Sequence, residues 1–390
     1  MLPRFRNILS LVIIYCVFNW GIGFSGTVAL AGINGVDGDF FTDSELIISG
    51  IGFGSHADYG GGDNFLNYIF ENCEAGKITK DPKWSVDGGG GFAKIQTTEN
   101  RSGSNYNLFN ERRASTETYA NAFGETVTTP YRYGIKSNVK NVAPVHRYFY
   151  SMWVMFSENF GLVQDTTDGS GAKIAMNTPF DSGDYKDYFS VGASSDLGEV
   201  HISSNTENGD LSVKAGALNY FVPYGTWHRI DTYVSIPDAT TGFYDEVTWW
   251  IDGRRIRTTK QSGGYLLPNP EDVHKLGMIS FMGYMYNGKD IPFYIRTDDF
   301  YLDFTQARVE ISDSSIWDDT QATHKEIQLP LKWTDSSITI RVNRGAFQDS
   351  QSLYLYVIKE DGTPVNNEGI ALSKVPAPTP QPVKEFDVVK

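Results

Sequence analysis

Between Arg147 and Phe304 the chain is a train of short segments in which apolar and polar residues alternate, and each segment ends in a turn signal. The segments are Tyr148 to Phe156, Ala172 to Asn177, Tyr188 to Ala193, Glu199 to Ser203, Leu211 to Lys214, Trp227 to Ile236, Glu246 to Ile251, Met278 to Tyr286 and Phe300 to Phe304. A period of two sends successive side chains to opposite faces of a strand. The Asp-Gly, Asn-Gly, Ser-Gly and Pro-containing breaks between segments supply hairpin turns. No segment sustains the 3.6-residue period beyond about three helical turns, and no internal repeat is present. The expectation is an all-β chain: two antiparallel sheets closed over a shared apolar interior. Apolar residues make up 40% of the 390 residues and aromatics 14%, which is enough to fill such a core.

The two ends read differently. Arg4 and Arg6 precede a mostly apolar run from Ile8 to Phe18, and Ala29-Leu-Ala31 is a small-x-small cleavage pattern, so residues 1–31 are expected to be an export signal. Asn19 and the glycines Gly21, Gly23 and Gly26 leave that run short for a retained anchor, and no later segment is apolar enough to cross a bilayer as a helix. The expected organisation is an N-terminal segment over 32–59 with one strand near Leu46, a sandwich over 60–312, a small β-module over 313–372 and a Pro-rich tail over 373–390. The module holds strands at Ser337 to Asn343 and Ser352 to Lys359, followed by an Asp361-Gly362 turn. The strand near Leu46 is open to pairing with it.

Charge and composition exclude several function classes. A net charge of −14 with no Lys/Arg block repels a phosphate backbone, so nucleic acid is not an expected partner. Cys16 falls in the signal, leaving Cys73 alone and no thiolate zinc site. His146, His228, His274 and His324 show no metal-ligand spacing.

Certain phrases carry a family resemblance. Glu45 to Gly54, a strand running into Gly-Ile-Gly-Phe-Gly, resembles the opening of IPT/TIG immunoglobulin-like domains. Over roughly residues 60–310, Tyr148 to Phe156, then Gly171-Ala-Lys-Ile174, then Trp227 to Ile236 leading into Val247-Thr-Trp-Trp-Ile-Asp-Gly-Arg254, then Thr297 to Asp303, resemble in order the concanavalin A-like jelly rolls. That superfamily includes polysaccharide lyases, glucanases and laminin-G-type modules. The resemblance implies a sandwich of two packed antiparallel sheets, one concave, with a glycan groove across it; the strand set over 316–372 is by itself enough for a small immunoglobulin-like module. Export and fold together make a polysaccharide or cell-surface glycan the expected partner, outside the cytoplasm or in the periplasm.

Alternation assigns candidates to the open face. With Ile230, Val234, Val247, Trp249, Ile251, Ile174, Met176, Val200 and Ile202 turned inward, the other face receives Asp231, Tyr233, Trp250, Lys173, Asn177 and His201. Trp250, Tyr233, Asp231, Asn177 and Tyr284 are the expected sugar contacts. An indole stacks on a pyranose ring, and polar side chains reach its hydroxyls. For each the plain alternative stands beside it: Trp250 packed under a loop, Lys173 a solvated charge, His201 an ordinary strand histidine.

The Glu-x-Asp-x-x-Glu strand of laminarinase-type glucanases is absent, which argues against hydrolysis by paired carboxylates. A lyase needs a group to neutralise a uronate carboxylate and a base to take the C5 proton. Lys173, His201, Tyr188, Tyr220 and Arg229 are the candidates. Lys214-Ala-Gly-Ala-Leu-Asn219 is similar to a signature of jelly-roll alginate lyases, and Val200-His-Ile202 to their Gln-Ile-His. The first stands before the Asp252-Gly253 turn where the family has it after, and the family's Arg-x-Glu strand is missing. No cofactor is required. The resemblance also implies a structural Ca²⁺, with Glu71 and Asp299 in the matching places by order. Two classes of function remain: a carbohydrate-active protein of lyase type, and a non-catalytic glycan-binding or adhesion protein.

Overall fold

The computed structural model describes residues 31–56, 84–86, 94–99, 101, 107–112, 118–120, 126–128, 135–137, 147–159, 171–179, 188–194, 199–206, 209–213, 223–235, 246–259, 276–285 and 293–372. The expected signal segment through Leu30, Cys73, Glu71, the loop at Gly88, Lys214 to Tyr220 and the Pro-rich stretch after Leu372 lie outside these residues. Every described element is a strand, and the described residues belong to one compact unit. Among the described residues no helix is long and apolar enough to cross a membrane.

Three antiparallel sheets of seven strands carry the fold. The first runs β16-β15-β14-β9-β18-β5-β4, built from β4 Lys94–Gln96, β5 Asn107–Arg112, β9 Arg147–Phe156, β14 Trp227–Ser235, β15 Glu246–Ile251, β16 Arg254–Thr259 and β18 Phe293–Asp303. The second runs β13-β12-β11-β10-β17-β8-β3, built from β3 Trp84–Val86, β8 Ile135–Ser137, β10 Gly171–Pro179, β11 Tyr188–Ser194, β12 Glu199–Thr206, β13 Gly209–Val213 and β17 Leu276–Met285. The chain passes repeatedly between them, as a jelly-roll sandwich requires. A separate hairpin joins β6 Thr118–Ala120 to β7 Thr126–Thr128.

The turn chemistry read from sequence is realised at Asp252-Gly253. Both residues have positive φ, 53° and 76°, and they close a two-residue loop between Ile251 and Arg254. Only a primed turn of that kind matches the twist of its two strands, and glycine takes it without strain. Asp252 also accepts the Arg229 amide at 2.9 Å, tying the turn to β14.

The third sheet runs β1-β2-β21-β20-β19-β22-β23. Its strands are β1 Gly32–Gly38, β2 Glu45–Ile51, β19 Arg308–Ser312, β20 Lys325–Trp333, β21 Ser337–Arg341, β22 Leu353–Ile358 and β23 Ile370–Leu372. The strand near Leu46 pairs with β21, from Glu45 opposite Arg341 to Ser49 opposite Ser337. The start of the described chain is thus part of the C-terminal sheet. β20 serves two partners: Lys325 to Gln328 pair with β19, and Leu329 to Trp333 pair with β21 through a bulge after Pro330. A strand that changes partner along its length lets the sheet curl. It curls over a core that includes Leu46, Ile48, Val309, Ile311, Ile338, Ile340, Leu355 and Val357, each under 2% exposed.

Candidate functional site

The first sheet does not leave an open face. All of β9 after Arg147 is buried, on both sides. Tyr148 stacks on Tyr150 at 6.3 Å, while Phe149, on the opposite face, meets Trp250 and Tyr301 edge-on at 6.2 Å each. A strand covered on both faces reads as a continuous apolar run, and Tyr148 to Phe156 is one. The cover is the third sheet. Ile327 of β20 packs against the cluster of Phe149, Tyr233, Trp250 and Tyr301. Trp250 and Tyr233 are each 6% exposed and Asp231 1%, so these three expected sugar contacts, correctly grouped on one face, are covered by β19, β20 and their connection, with only the edge of Tyr233 reaching a cleft beside them.

The expected catalytic Arg229 is buried at the same seam. Its guanidinium donates to Asp231 from Nε at 2.9 Å and to Glu310 from Nη2 at 2.7 Å, and Nη1 donates to the Lys325 carbonyl at 2.6 Å. Arg308 Nε donates to the same Glu310 oxygen at 2.9 Å, with its guanidinium 4.5 Å over the Phe149 ring. Burial alone would lift the Glu310 carboxyl, but Arg308, Arg229 and Lys325 together hold it well below the usual carboxylate range. Lys325 is 3% exposed and its Nζ makes no hydrogen bond; it rests 3.4 Å from the Trp317 ring centre. Burial lowers its ammonium to about 8, with Glu310 opposing and Arg229 and Arg308 adding to the shift. These charges are structural. The Arg229 and Arg308 guanidiniums are paired within the protein, and the Lys325 ammonium is buried against Trp317.

A second buried knot lies along the same seam. Arg101 pairs with both Asp299 and Glu326, and its guanidinium lies 3.9 Å over Trp153. His324 Nε2 is 2.8 Å from Glu326 Oε1. Asp299, one of the two residues matching the implied Ca²⁺ place, therefore gives its carboxylate to Arg101, and Glu71 lies outside the described residues. Among the described residues no group of three or more His, Cys, Asp or Glu could hold a metal ion. His56, from the segment after β2, reaches Asp303 of β18 at 2.6 Å and makes a third tie between the sheets.

The register of the second sheet groups residues of a different kind. Its register places Tyr284 of β17 opposite Lys173 of β10, Lys173 opposite Gly192 of β11, and Gly192 opposite His201 of β12. One row thus crosses four strands as Tyr284, Lys173, Gly192, His201. A second row on the same face crosses all seven strands: Ser85, Lys136, Ser280, Met176, Ser190, Ser203 and Ser212. Tyr188, two residues before Ser190 and opposite Asn205, belongs to this face as well. The alternate register positions hold Phe189, Val191, Val200, Ile202, Leu211, Ile279 and Phe281, an apolar set.

Asn177 is the exception. The pairing of β10 shifts between Lys173 and Ala175 against both of its neighbours: against β11 Ile174 is an extra residue, and against β17 it stands alone opposite Met282 and Gly283. A bulge of this type reverses the faces beyond it. Asn177 pairs with Phe189 and Ile279 on the apolar side, and Met176 takes its place on the polar side. Simple alternation missed the bulge, and it missed Lys136 because a three-residue strand gives no period to read. Tyr220, the remaining candidate, lies outside the described residues.

No family model matches the chain, and no curated protein matches it. Among solved structures, alginate lyase vAL-1 from Chlorella virus aligns at 11% identity and TM-score 0.39, over 57% of this chain and 93% of that one. Alginate lyase Aly36B aligns at 14% identity and TM-score 0.38, over 61% and 96%. A botulinum neurotoxin type C structure, described by its dependence on two ganglioside molecules for cell entry, aligns at 10% identity and TM-score 0.36, over 70% and 65%. Likenesses this distant do not bear on what the chain binds.

Proposed function

We propose that the protein binds an acidic polysaccharide outside the cytoplasm, across the polar face of the second sheet, and cleaves it by β-elimination. The observation that carries this reading is the register row Tyr284, Lys173, Gly192, His201. Neighbouring strands are about 4.8 Å apart, so Lys173 and Tyr284 are one strand spacing from each other and Lys173 and His201 two. A cation and a phenol at that spacing suit the two groups on C5 of a uronate: the carboxylate and the proton. The row of serines and Lys136 alongside offers hydroxyl and ammonium contacts to neighbouring sugars.

In the elimination, Lys173 neutralises the C5 carboxylate and thereby acidifies the C5 proton. Tyr284, as its phenolate, takes that proton. The electron pair forms the C4–C5 double bond as the C4–O bond breaks, and the departing oxygen is protonated from His201 or water. Export is part of this reading and rests on Arg4, Arg6, the apolar run and Ala29-Leu-Ala31.

Incubation with a panel of uronic-acid polysaccharides, followed by ultraviolet absorbance of the unsaturated product, tests it. Product from at least one polymer, lost in Lys173→Ala and in Tyr284→Phe, is the expected result. Binding without product on every polymer would leave the second reading, a non-catalytic glycan-binding protein. Gly192 favours that reading to one extent: it leaves His201 a full strand from Lys173, with no reactive group in the row between them.

A further inference from the structure

Where the first sheet, the third sheet and the segment after β2 meet, a cleft of about 620 Å³ opens. Tyr233 and Ser235 of β14 line it from one side, Gln306 from the connection between β18 and β19, and the turn at Lys359 to Asp361 from the other. Ser55 and Arg147 complete the rim. The volume falls within the ordinary range for small-molecule sites and has room for two sugar rings.

Two of these residues are withdrawn from bulk solvent yet left without partners. Ser235 is 8% exposed and Gln306 7%. Among the described residues, neither the Ser235 hydroxyl nor the Gln306 side-chain amide makes a hydrogen bond, and neither is sealed from the cleft. Both groups therefore open onto the cleft as a donor and acceptor pair for whatever occupies it. Gln306 is also held in place. Gly362, at φ +81°, sits so close over it that a Cβ there would come within 2.5 Å of the amide oxygen.

The charges of the cleft cancel. Arg147 and Lys359 face Glu360 and Asp361, and Arg147 Nη1 lies 3.8 Å from Glu360 Oε1. A balanced rim gives no attraction to a polyanion, in contrast to the lysine-bearing face of the second sheet. A hydroxyl, an amide and the wall of a tyrosine ring are the groups that meet the hydroxyls and apolar patches of an uncharged sugar. We infer that this cleft is a second ligand site, specific for a short neutral saccharide, separate from the polymer-binding face and independent of it.

The test is calorimetric titration of the full chain with neutral disaccharides of gluco, manno and galacto configuration. Saturable binding of at least one, in the millimolar range or tighter, is expected. Gln306→Ala should weaken it at least fivefold. Ser55→Trp, at an exposed position on the rim, should abolish it by filling the cleft while leaving the thermal transition unchanged. Lys173→Ala should leave it unaltered. Absence of binding by every disaccharide overturns the inference. So does binding that persists in both cleft variants, or binding that disappears in Lys173→Ala, which would move it to the second sheet. Polyuronate cleavage reads a different ligand and a different face, so either proposal can fail alone.

Discussion

Nη2 of Arg229 on β14 donates to Oε1 of Glu310 on β19 at 2.7 Å, with both side chains all but fully buried. That bond joins the sandwich to the C-terminal sheet. Around it Arg229, Arg308 and Lys325 share two carboxylates, Asp231 and Glu310. An interface so charged and so dry is held by geometry: each carboxylate must keep its partners. Arg229→Met removes the cation that both carboxylates use and leaves them buried. Such losses cost about 3–5 kcal/mol. Urea unfolding should show a midpoint lowered accordingly. A change below about 1 kcal/mol would mean the seam is held elsewhere.

Lys325 makes the seam sensitive to alkali. Its folded value, about 8, lies below the 10.5 of the free side chain. Below pH 8 the ammonium is charged in both states and the full penalty of burying it applies. As pH rises from 8 towards 10.5 the folded form has already lost the proton, and stability increases by on the order of 3 kcal/mol. Lys325→Met should be as stable as the parent or more so at pH 7, and should lack this rise. Denaturation midpoints of the two proteins at pH 7 and pH 10 measure the difference.

Glu326 governs the acid limb. Burial would raise its carboxyl, but Arg101 and then His324 hold it below the ordinary value. The stability it contributes is complete above about pH 4.5 and is lost as pH falls through the lowered folded value. Glu326→Gln should lower the melting temperature at pH 7 and flatten its fall below pH 4.5, as read by calorimetry across that range.

Trp250→Ala separates burial from binding. The indole contacts Phe149 edge-on at 6.2 Å and donates to Asp319 at 3.3 Å, entirely within the protein. The truncation should cost about 3–5 kcal/mol of stability. Glycan affinity of the folded fraction should not change. Weakened affinity at full stability would return Trp250 to a binding face.

The bulge in β10 gives the sharpest comparison of two neighbours. Lys173 lies on the polar face and Asn177, beyond Ile174, on the apolar one. Lys173→Ala should abolish polyuronate binding, whereas Asn177→Ala should leave the dissociation constant unchanged. Equal losses would mean that the strand has no bulge in solution.

The strands themselves were legible because alternation and turns are local. Tyr188 to Ala193, Glu199 to Ser203 and Glu246 to Ile251 each carry their own period, and Asp252-Gly253 carries its own turn geometry. Grouping by face was legible where the ladder is regular, since a period of two is enough to place Asp231 with Tyr233; in β10 it failed, separating Lys173 from Met176, which share a face. The irregularity at Ile174 escaped notice because a register shift in a ladder shows only against its partners.

By itself, then, the order of residues determined the all-β architecture, the positions of most strands and turns, and which side chains travel together, all of which depend on the backbone within a few residues. Which face stays open depends on contacts made across the whole chain. Leu46 pairs with Ile340, Arg229 meets Glu310, and Ile327 covers Trp250. A strand with one polar face looks the same in sequence whether that face meets water or a buried set of opposite charges. Only the folded chain distinguishes them, as it does by closing the face that carries Trp250.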